Sequence, residues 1–270
     1  MYLGIDVGAS KTLLAAFEGK DKIAKEIKFA TPKNYSEFIK MLGENIKRLG
    51  IQTPDAICCA IPGLVDEQKG IGKTLGNLPW KNAPVRSDLE RLVPGTPVLV
   101  ENDAKIAAVY EAVVLKNQYK KILYLTISTG IGAGIVNSGI LDPLLENSEP
   151  GQMVLMHDGH LEKWEDFASG RALVKKYGRR ASEIEEPEIW REFAIGVAQG
   201  LAVVIAVVQP EVVVIGGGVG AHLEKFQDYL ESELQKYQNN MVIMPPIVKA
   251  KRPEEAVIYG CYEYIRQKNA

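Results

Sequence analysis

The chain holds 270 residues, 46% hydrophobic and 24% charged, which excludes a disordered, collagen-like or low-complexity protein and leaves room for two domains of ordinary size. Its 32 Lys and Arg against 34 Asp and Glu give a net charge of -2, so no global basic field exists to hold a nucleic acid or an anionic membrane, and any phosphate site has to be local. Three cysteines, the adjacent Cys58 and Cys59 and the remote Cys261, are too few for a disulfide framework or a four-cysteine zinc site and read as buried thiols of a reducing cytosol.

Tyr2 to Val7 reads as a buried strand with no signal peptide ahead of it, Gly8-Ala9-Ser10 as a turn and Lys11 to Glu18 as the returning strand. Gly19-Lys20-Asp21 then turns into Ile23 to Phe29. Phe38, Ile39, Leu42, Ile46 and Leu49 sit at helical spacing within Ser36 to Leu49, which predicts an amphipathic crossover to the strand Ala56 to Ile61, closed by Pro62-Gly63. A short helix from Ser87 to Leu92 precedes the strand Pro97 to Val100, which runs into Glu101-Asn102-Asp103 and a helix from Ala104 to Leu115. Lys121 to Ile127 and Ala133 to Val136 repeat the opening hairpin about the turn Ser128 to Gly132, and the two first strands lie 120 residues apart. An irregular stretch from 137 to 165 follows, then helices at 166 to 177 and 187 to 208 and the strand Val212 to Ile215 before Gly216-Gly217-Gly218. A helix from 221 to 237, a strand from Met241 to Met244 and a helix from 253 to 267 complete the chain. The apolar run Ala194 to Val208 is broken by Gln199 and is shorter than the roughly 20 residues a bilayer span needs, so it reads as a buried core helix.

Four groups of residues could carry chemistry. The turns Asp6 to Thr12 and Ser128 to Gly134 have small residues that let backbone N–H groups approach an anion; one such turn alone reads more readily as an ordinary hairpin, two of them after the first strands of repeated halves suggest a pair of phosphate-gripping loops, and neither is a Walker loop. Glu101-Asn102-Asp103 lies where a strand gives way to a helix, the place where α/β proteins bind ligands. Asp103 there suits a helix cap as well as it suits catalysis, whereas Asn102 is harder to explain as a cap and suits sugar hydroxyls. Glu149-Pro150-Gly151-Gln152 and Glu165 to Gly170 add carboxylates that either hold vicinal hydroxyls or stand in solvent. The triple glycine lacks the dinucleotide spacing, and His157 and His160, with no neighbouring cysteine, read as surface histidines rather than metal ligands.

Taken in order, Leu3-Gly4-Ile5-Asp6-Val7-Gly8-Ala9-Ser10-Lys11-Thr12, Ile61-Pro62-Gly63-Leu64-Val65-Asp66, Asn77-Leu78-Pro79-Trp80, Glu101-Asn102-Asp103-Ala104, Ser128-Thr129-Gly130-Ile131-Gly132 and Ala168-Ser169-Gly170-Arg171-Ala172 resemble the ROK family of repressors, open reading frames and sugar kinases over nearly the whole chain. The resemblance implies an α/β, two-lobed, actin-like (ribonuclease H-like) ATPase fold with an interlobe cleft: a lobe over 1-115, a second over 116-255, and a terminal helix over 256-270 packing back on the first. It implies a cytoplasmic ATP-dependent kinase that phosphorylates a hexose hydroxyl, glucose at O6 first among the candidates, with polyphosphate as donor or fructose or an N-acylhexosamine as acceptor for alternatives. A non-catalytic sugar sensor and an actin-like or chaperone-type ATPase are rivals from other classes, and a homodimer is implied as a partner state.

By position, Asp103 resembles the family's catalytic base. Asn102, Glu149, Gln152 and Glu165 resemble its sugar ligands, joined by Gly63, Thr74 and Asn77. Asp6, Gly8, Lys11 and Thr12 resemble its first phosphate loop, Thr129 and Gly130 the second, and Gly217 and Gly218 the adenosine loop. Mg-ATP is the implied cosubstrate, with Asp6 orienting the magnesium through water, and the lobes are implied to close on the sugar. Gln152 stands where many members carry histidine, and the cysteine-rich zinc motif is missing, so no structural zinc is expected. The family's N-terminal DNA-binding helices are missing as well, so no DNA binding is expected.

Overall fold

The computed structural model describes every residue except 20, 21, 52, 116, 117, 146 and 270, so the turn expected at Lys20-Asp21 lies outside the described residues. The chain divides into unit 1, Met1–Tyr110 with Glu255–Ala270, and unit 2, Glu111–Glu254.

Unit 1 begins with β1 (Tyr2–Val7), β2 (Lys11–Phe17) and β3 (Ile23–Ala30), an antiparallel run, followed by α1 (Tyr35–Leu49) and β4 (Ala56–Ile61). Asn34 caps α1 by accepting the Glu37 N–H at 3.1 Å, and Gly50 ends it in the left-handed region. Three short strands come next, β5 (Leu64–Asp66), β6 (Ile71–Thr74) and β7 (Lys81–Ala83), then α2 (Val85–Leu92), β8 (Val98–Asn102) and α3 (Asp103–Val114). The main sheet has the order β3-β2-β1-β4-β8, with β1, β4 and β8 parallel. Because side chains alternate across a strand, Leu14 of β2 joins Leu3, Ile5 and Val7 against Phe38, Leu42 and Ile46 of α1, while Ala15 and Phe17 face the other way. The separate sheet β5-β6-β7 is a feature that the sequence reading passed over.

Unit 2 repeats this path. Its strands β9 (Lys121–Ile127), β10 (Ile131–Asn137) and β11 (Ile140–Leu141) are antiparallel, and β14 (Val212–Gly216) and β15 (Ile247–Lys249) add to β9 in parallel, giving the order β11-β10-β9-β14-β15. The duplication read from the sequence is therefore one of topology as well as of pattern. The stretch read as irregular contains a 3-10 turn (Pro150–Gln152) and a hairpin, β12 (Val154–His157) with β13 (His160–Lys163). Then come α4 (Trp164–Ala168), α5 (Gly170–Tyr177) and α6 (Pro187–Val208). At 22 residues α6 is long and apolar enough to cross a membrane, which the shorter apolar run did not suggest. Its Trp190, Phe193, Val197, Leu201 and Ile205 nevertheless lie in the core of unit 2, as the core-helix reading expects.

The triple glycine runs into a short helix, α7 (Gly217–Gly220), and the helix expected at 221 to 237 is broken into a 3-10 turn (Leu223–Lys225) and α8 (Gln227–Gln235). The strand expected at Met241 to Met244 is absent: Met241 and Ile243 are exposed, and Ile247, which is buried, pairs with Val213 instead. The chain ends in α9 (Ala256–Lys268), which belongs to unit 1 and sets Ile258 and Tyr262 against Ala15 and Phe17.

Candidate functional site

In unit 1 the expected residues gather at the carboxyl ends of the parallel strands, where open α/β sheets bind ligands. Asp6 lies near the end of β1, Gly63 just past β4, and Asn102 closes β8 as Asp103 opens α3. Asp6 is half-buried, and its carboxyl is pushed up to about 7, first by burial and then by the charge of Asp103, with Lys28 pulling the other way. Burial and the like charge of Asp103 both disfavour the ionised form of Asp6.

The structure reverses the reading of the strand–helix junction. Asn102, not Asp103, is the cap: its Oδ1 accepts the Lys105 N–H at 3.2 Å, while its Nδ2 donates to the Gly63 carbonyl at 2.8 Å. Asp103 is already helical, and its Oδ1 accepts the Ala104 N–H at 2.8 Å. Glu101 accepts the Asn102 N–H at 2.7 Å and the Lys105 ammonium at 3.3 Å, with both charged side chains buried. Gly63 has φ 82°, and a Cβ there would lie 2.2 Å from the Thr74 carbonyl and 3.0 Å from the Gly76 nitrogen, so no side chain fits where β6 and its turn pass. The Thr74 backbone thereby passes beside Gly63, whose own carbonyl the Asn102 amide holds, and the side chains of Thr74 and, three residues on, Asn77 are exposed.

The turn after β1 is strapped from outside. The Thr31 hydroxyl donates to the Gly8 carbonyl at 2.8 Å, the Lys33 ammonium to the Ala9 carbonyl at 3.0 Å, and the Thr31 N–H to the Ser10 carbonyl at 3.1 Å. The Gly8 N–H is itself held by the Lys11 carbonyl at 2.9 Å, so with these carbonyls tied back the amides of Ala9 and Ser10 give the turn the polarity an anion needs. Thr12 does not contribute the donor expected of it: its side chain is fully buried and its hydroxyl pairs with that of Thr31 at 2.9 Å. Gly8, Ser10 and Lys11 stay at the surface or near it. The strap residues Thr31 and Lys33 were missed because they lie on the far side of two strands in sequence.

In unit 2 the second set converges on the turn between β9 and β10. Glu165 of α4 accepts the Ile131 N–H at 3.3 Å, and a Cβ at Gly130 would lie 2.5 Å from the same carboxylate oxygen. The 3-10 turn that carries Gln152 and follows Glu149 abuts the same residue, with a Cβ at Gly151 falling 2.2 Å from the Ile131 carbonyl. Gly217, at φ 84°, backs onto the Ile127 carbonyl and the Thr126 hydroxyl, each 2.6 Å from where its Cβ would be, and Gly218 has only the Ser128 hydroxyl nearby, at 3.9 Å. Thr129, Gly130, Glu149, Gln152, Glu165, Gly217 and Gly218 thus share one end of the unit 2 sheet, with Thr129 and Gln152 exposed. Arg171 was not among the expected residues; it bridges Glu165 at 3.2 Å and Asp166 at 3.1 Å and holds the Glu165 carboxylate in place.

His157 and His160 face each other across the β12–β13 pair. His157 bonds Gln199 at 3.0 Å and stacks on Phe167 with ring centroids 4.0 Å apart, as a packed histidine does. Among the described residues no three His, Cys, Asp or Glu side chains come together as a metal site would require.

A model of the ROK family matches residues 2–268. A glucokinase of Streptomyces coelicolor is 23% identical over 99% of this chain and 98% of its own length. An N-acetyl-D-glucosamine kinase of Haemophilus influenzae is 25% identical over 96% of this chain and 97% of its own. Among solved structures, a ROK family glucokinase from Streptomyces griseus in complex with glucose and AMPPNP superposes with a TM-score of 0.83 at 22% identity, covering 98% of this chain and 99% of that one, and shows the same fold.

Proposed function

Since the chain belongs to the ROK family, we propose that it is an ATP-dependent sugar kinase, a phosphotransferase that moves the γ-phosphoryl group of Mg-ATP onto a hexose hydroxyl. The observation that carries this reading is the strand-end group of unit 1, where a carboxylate at a helix start, Asp103, is placed by a capped junction beside an amide, Asn102, and a bare glycine, Gly63. Such a group can hold a hydroxyl and take its proton.

Phosphoryl transfer asks a protein mainly to position its reactants and to spread charge. Asp103 accepts the proton of the sugar hydroxyl. The freed oxygen forms a bond to the γ-phosphorus as the bond from that phosphorus to the β,γ-bridging oxygen breaks, and ADP leaves with the electron pair. Asn102, Gly63, Thr74, Asn77, Glu149, Gln152 and Glu165 orient the sugar. The turn from Gly8 to Lys11, through its Ala9 and Ser10 amides, and the Thr129-Gly130 turn hold phosphate oxygens, and Gly217 shapes the backbone so that Gly218 leaves room for the flat adenine of the nucleotide. Asp6 would hold the magnesium of the nucleotide, through water, and the ion would neutralise phosphate charge when bound.

Glucose, phosphorylated at O6, is the first candidate acceptor. The likeness to an N-acetyl-D-glucosamine kinase supports an N-acylhexosamine as the second. The test is an ADP-release assay with Mg-ATP against glucose, fructose, mannose, N-acetylglucosamine and N-acetylmannosamine, with Asp103→Asn as control. Sugar-dependent turnover that the variant lacks supports the kinase and identifies its acceptor. Silence with every sugar, where polyphosphate in place of ATP restores turnover, moves the donor; silence with both, while sugar still raises Tm, leaves a sensor.

A further inference from the structure

The Glu101–Lys105 ion pair is buried and flanks in sequence the residue proposed as catalytic base, and neither charged group is itself placed on the substrate. Charges of this kind are costly to bury and seldom kept for stability alone. Their placement forms a closed ring across the strand–helix junction. The Lys105 ammonium reaches back one helical turn to Glu101 Oε1 at 3.3 Å, the same oxygen accepts the Asn102 N–H at 2.7 Å, and the Lys105 N–H returns to Asn102 Oδ1 at 3.2 Å. Asp103 is the residue that this ring encloses in sequence. The backbone angles from Asn102 to Ala104 set where its carboxylate points, and the ring fixes those angles. It also fixes the Asn102 side chain, whose remaining bond, to the Gly63 carbonyl at 2.8 Å, sets the neighbouring loop.

We propose that Glu101 and Lys105 are positioning residues that aim Asp103 and Asn102 at the sugar, an inference that rests on the sugar-kinase reading. Opening the ring shifts the acceptor side of the site and leaves the phosphate turns alone. The prediction is a split: the KM for sugar rises and kcat falls, while the KM for ATP stays where it was.

The experiment compares the wild type with Glu101→Gln, Lys105→Met and the double variant, each assayed well below its own Tm with the acceptor sugar and ATP varied separately. Each single change strands one buried charge, so Tm drops and the loss of activity alone would be ambiguous. The double variant removes both charges and keeps the Asn102 N–H acceptor, so its Tm returns toward that of the wild type. Its ring is still open, and its kcat/KM for sugar is expected to remain on the order of 10- to 100-fold low, the size of effect that small misplacement of a reacting group produces. A double variant with restored Tm and wild-type sugar kinetics would reduce the pair to a structural role and overturn the proposal. A wild type that is silent with every sugar, under ATP and under polyphosphate alike, sinks the kinase reading, and the positioning role with it.

Discussion

At the scale of single residues, Asp103 and Asp6 make opposite demands on the same small region. Asp103→Asn keeps the shape and the bond from Ala104 while removing the proton acceptor, so it is expected to fold with the wild-type Tm, to bind sugar, and to lose kcat by roughly 10²- to 10⁴-fold. Near wild-type turnover would remove Asp103 from the mechanism. Asp6 binds its proton more tightly in the folded chain than in the unfolded one, since burial and Asp103 push its carboxyl up to about 7. The folded state therefore loses stability from this group as pH climbs between about 4 and about 7, and the loss is complete above that. Without magnesium, Asp6→Asn should match the wild type in Tm near pH 4 and exceed it at pH 8. Added magnesium should narrow the gap, because the ion binds the native wild type and stabilises it. A gap that does not change with pH would mean that Asp6 is well solvated. The residue types at both positions were legible in the sequence, yet their roles at the junction were not. A cap is defined by which side chain meets the third helical N–H, and a strand that runs two residues further than its apolar pattern moves that position from Asp103 to Asn102.

Elements were legible where the pattern of burial was long and regular. β1, β4 and α6 stand where their apolar runs put them, because each is buried along most of its length. Short, half-exposed elements gave no such signal: β5, β6 and β7 are three or four residues each, with Lys73 and Lys81 among them. One missed element did carry a readable mark. The β12–β13 hairpin turns on Asp158-Gly159, with φ 46° and 81°, the left-handed pair that favours Asp-Gly in two-residue turns. The strap across the first turn is an element-scale device that no local pattern announces, and it can be tested by shape-preserving change. Thr31→Val leaves the Gly8 carbonyl and the Thr12 hydroxyl without their partner, with an expected stability loss of about 1–3 kcal/mol and a raised KM for ATP. An unchanged KM for ATP would show that the turn keeps its form without the strap. Packing between elements is equally specific. A Cβ at Gly200 of α6 would sit 2.2 Å from the fully buried Trp164 ring of α4, so Gly200→Ala should lower stability by about 1–3 kcal/mol or more, read as a lowered denaturant midpoint.

Over the whole molecule, the two units share one topology and carry different chemistry at the ends of their parallel strands. Each has an antiparallel trio extended by two parallel strands, and each gathers its candidate residues at the end of the sheet where the first hairpin turns. What differs is which parallel strand leads into the candidate residues: the second, β8, in unit 1 and the first, β14, in unit 2. In unit 1, β8 leads into Asn102 and Asp103 at the head of a long helix; in unit 2, β14 leads into Gly217 and Gly218 and a helix of four residues. A carboxylate and an amide suit a hydroxyl acceptor, and bare backbone suits a flat base, so on the proposed function the β8 strand end serves the acceptor sugar and the β14 strand end the adenine of the donor. The assignment predicts a double dissociation. Asn102→Ala should raise the KM for sugar and leave that for ATP. Gly218→Ala should do the reverse while folding normally, since a Cβ there meets only the Ser128 hydroxyl, at ordinary contact distance. Steady-state kinetics with each substrate varied in turn decides the matter: if both variants move the same constant, the two strand ends do not serve separate substrates, and the similarity of the units would reflect their shared fold alone.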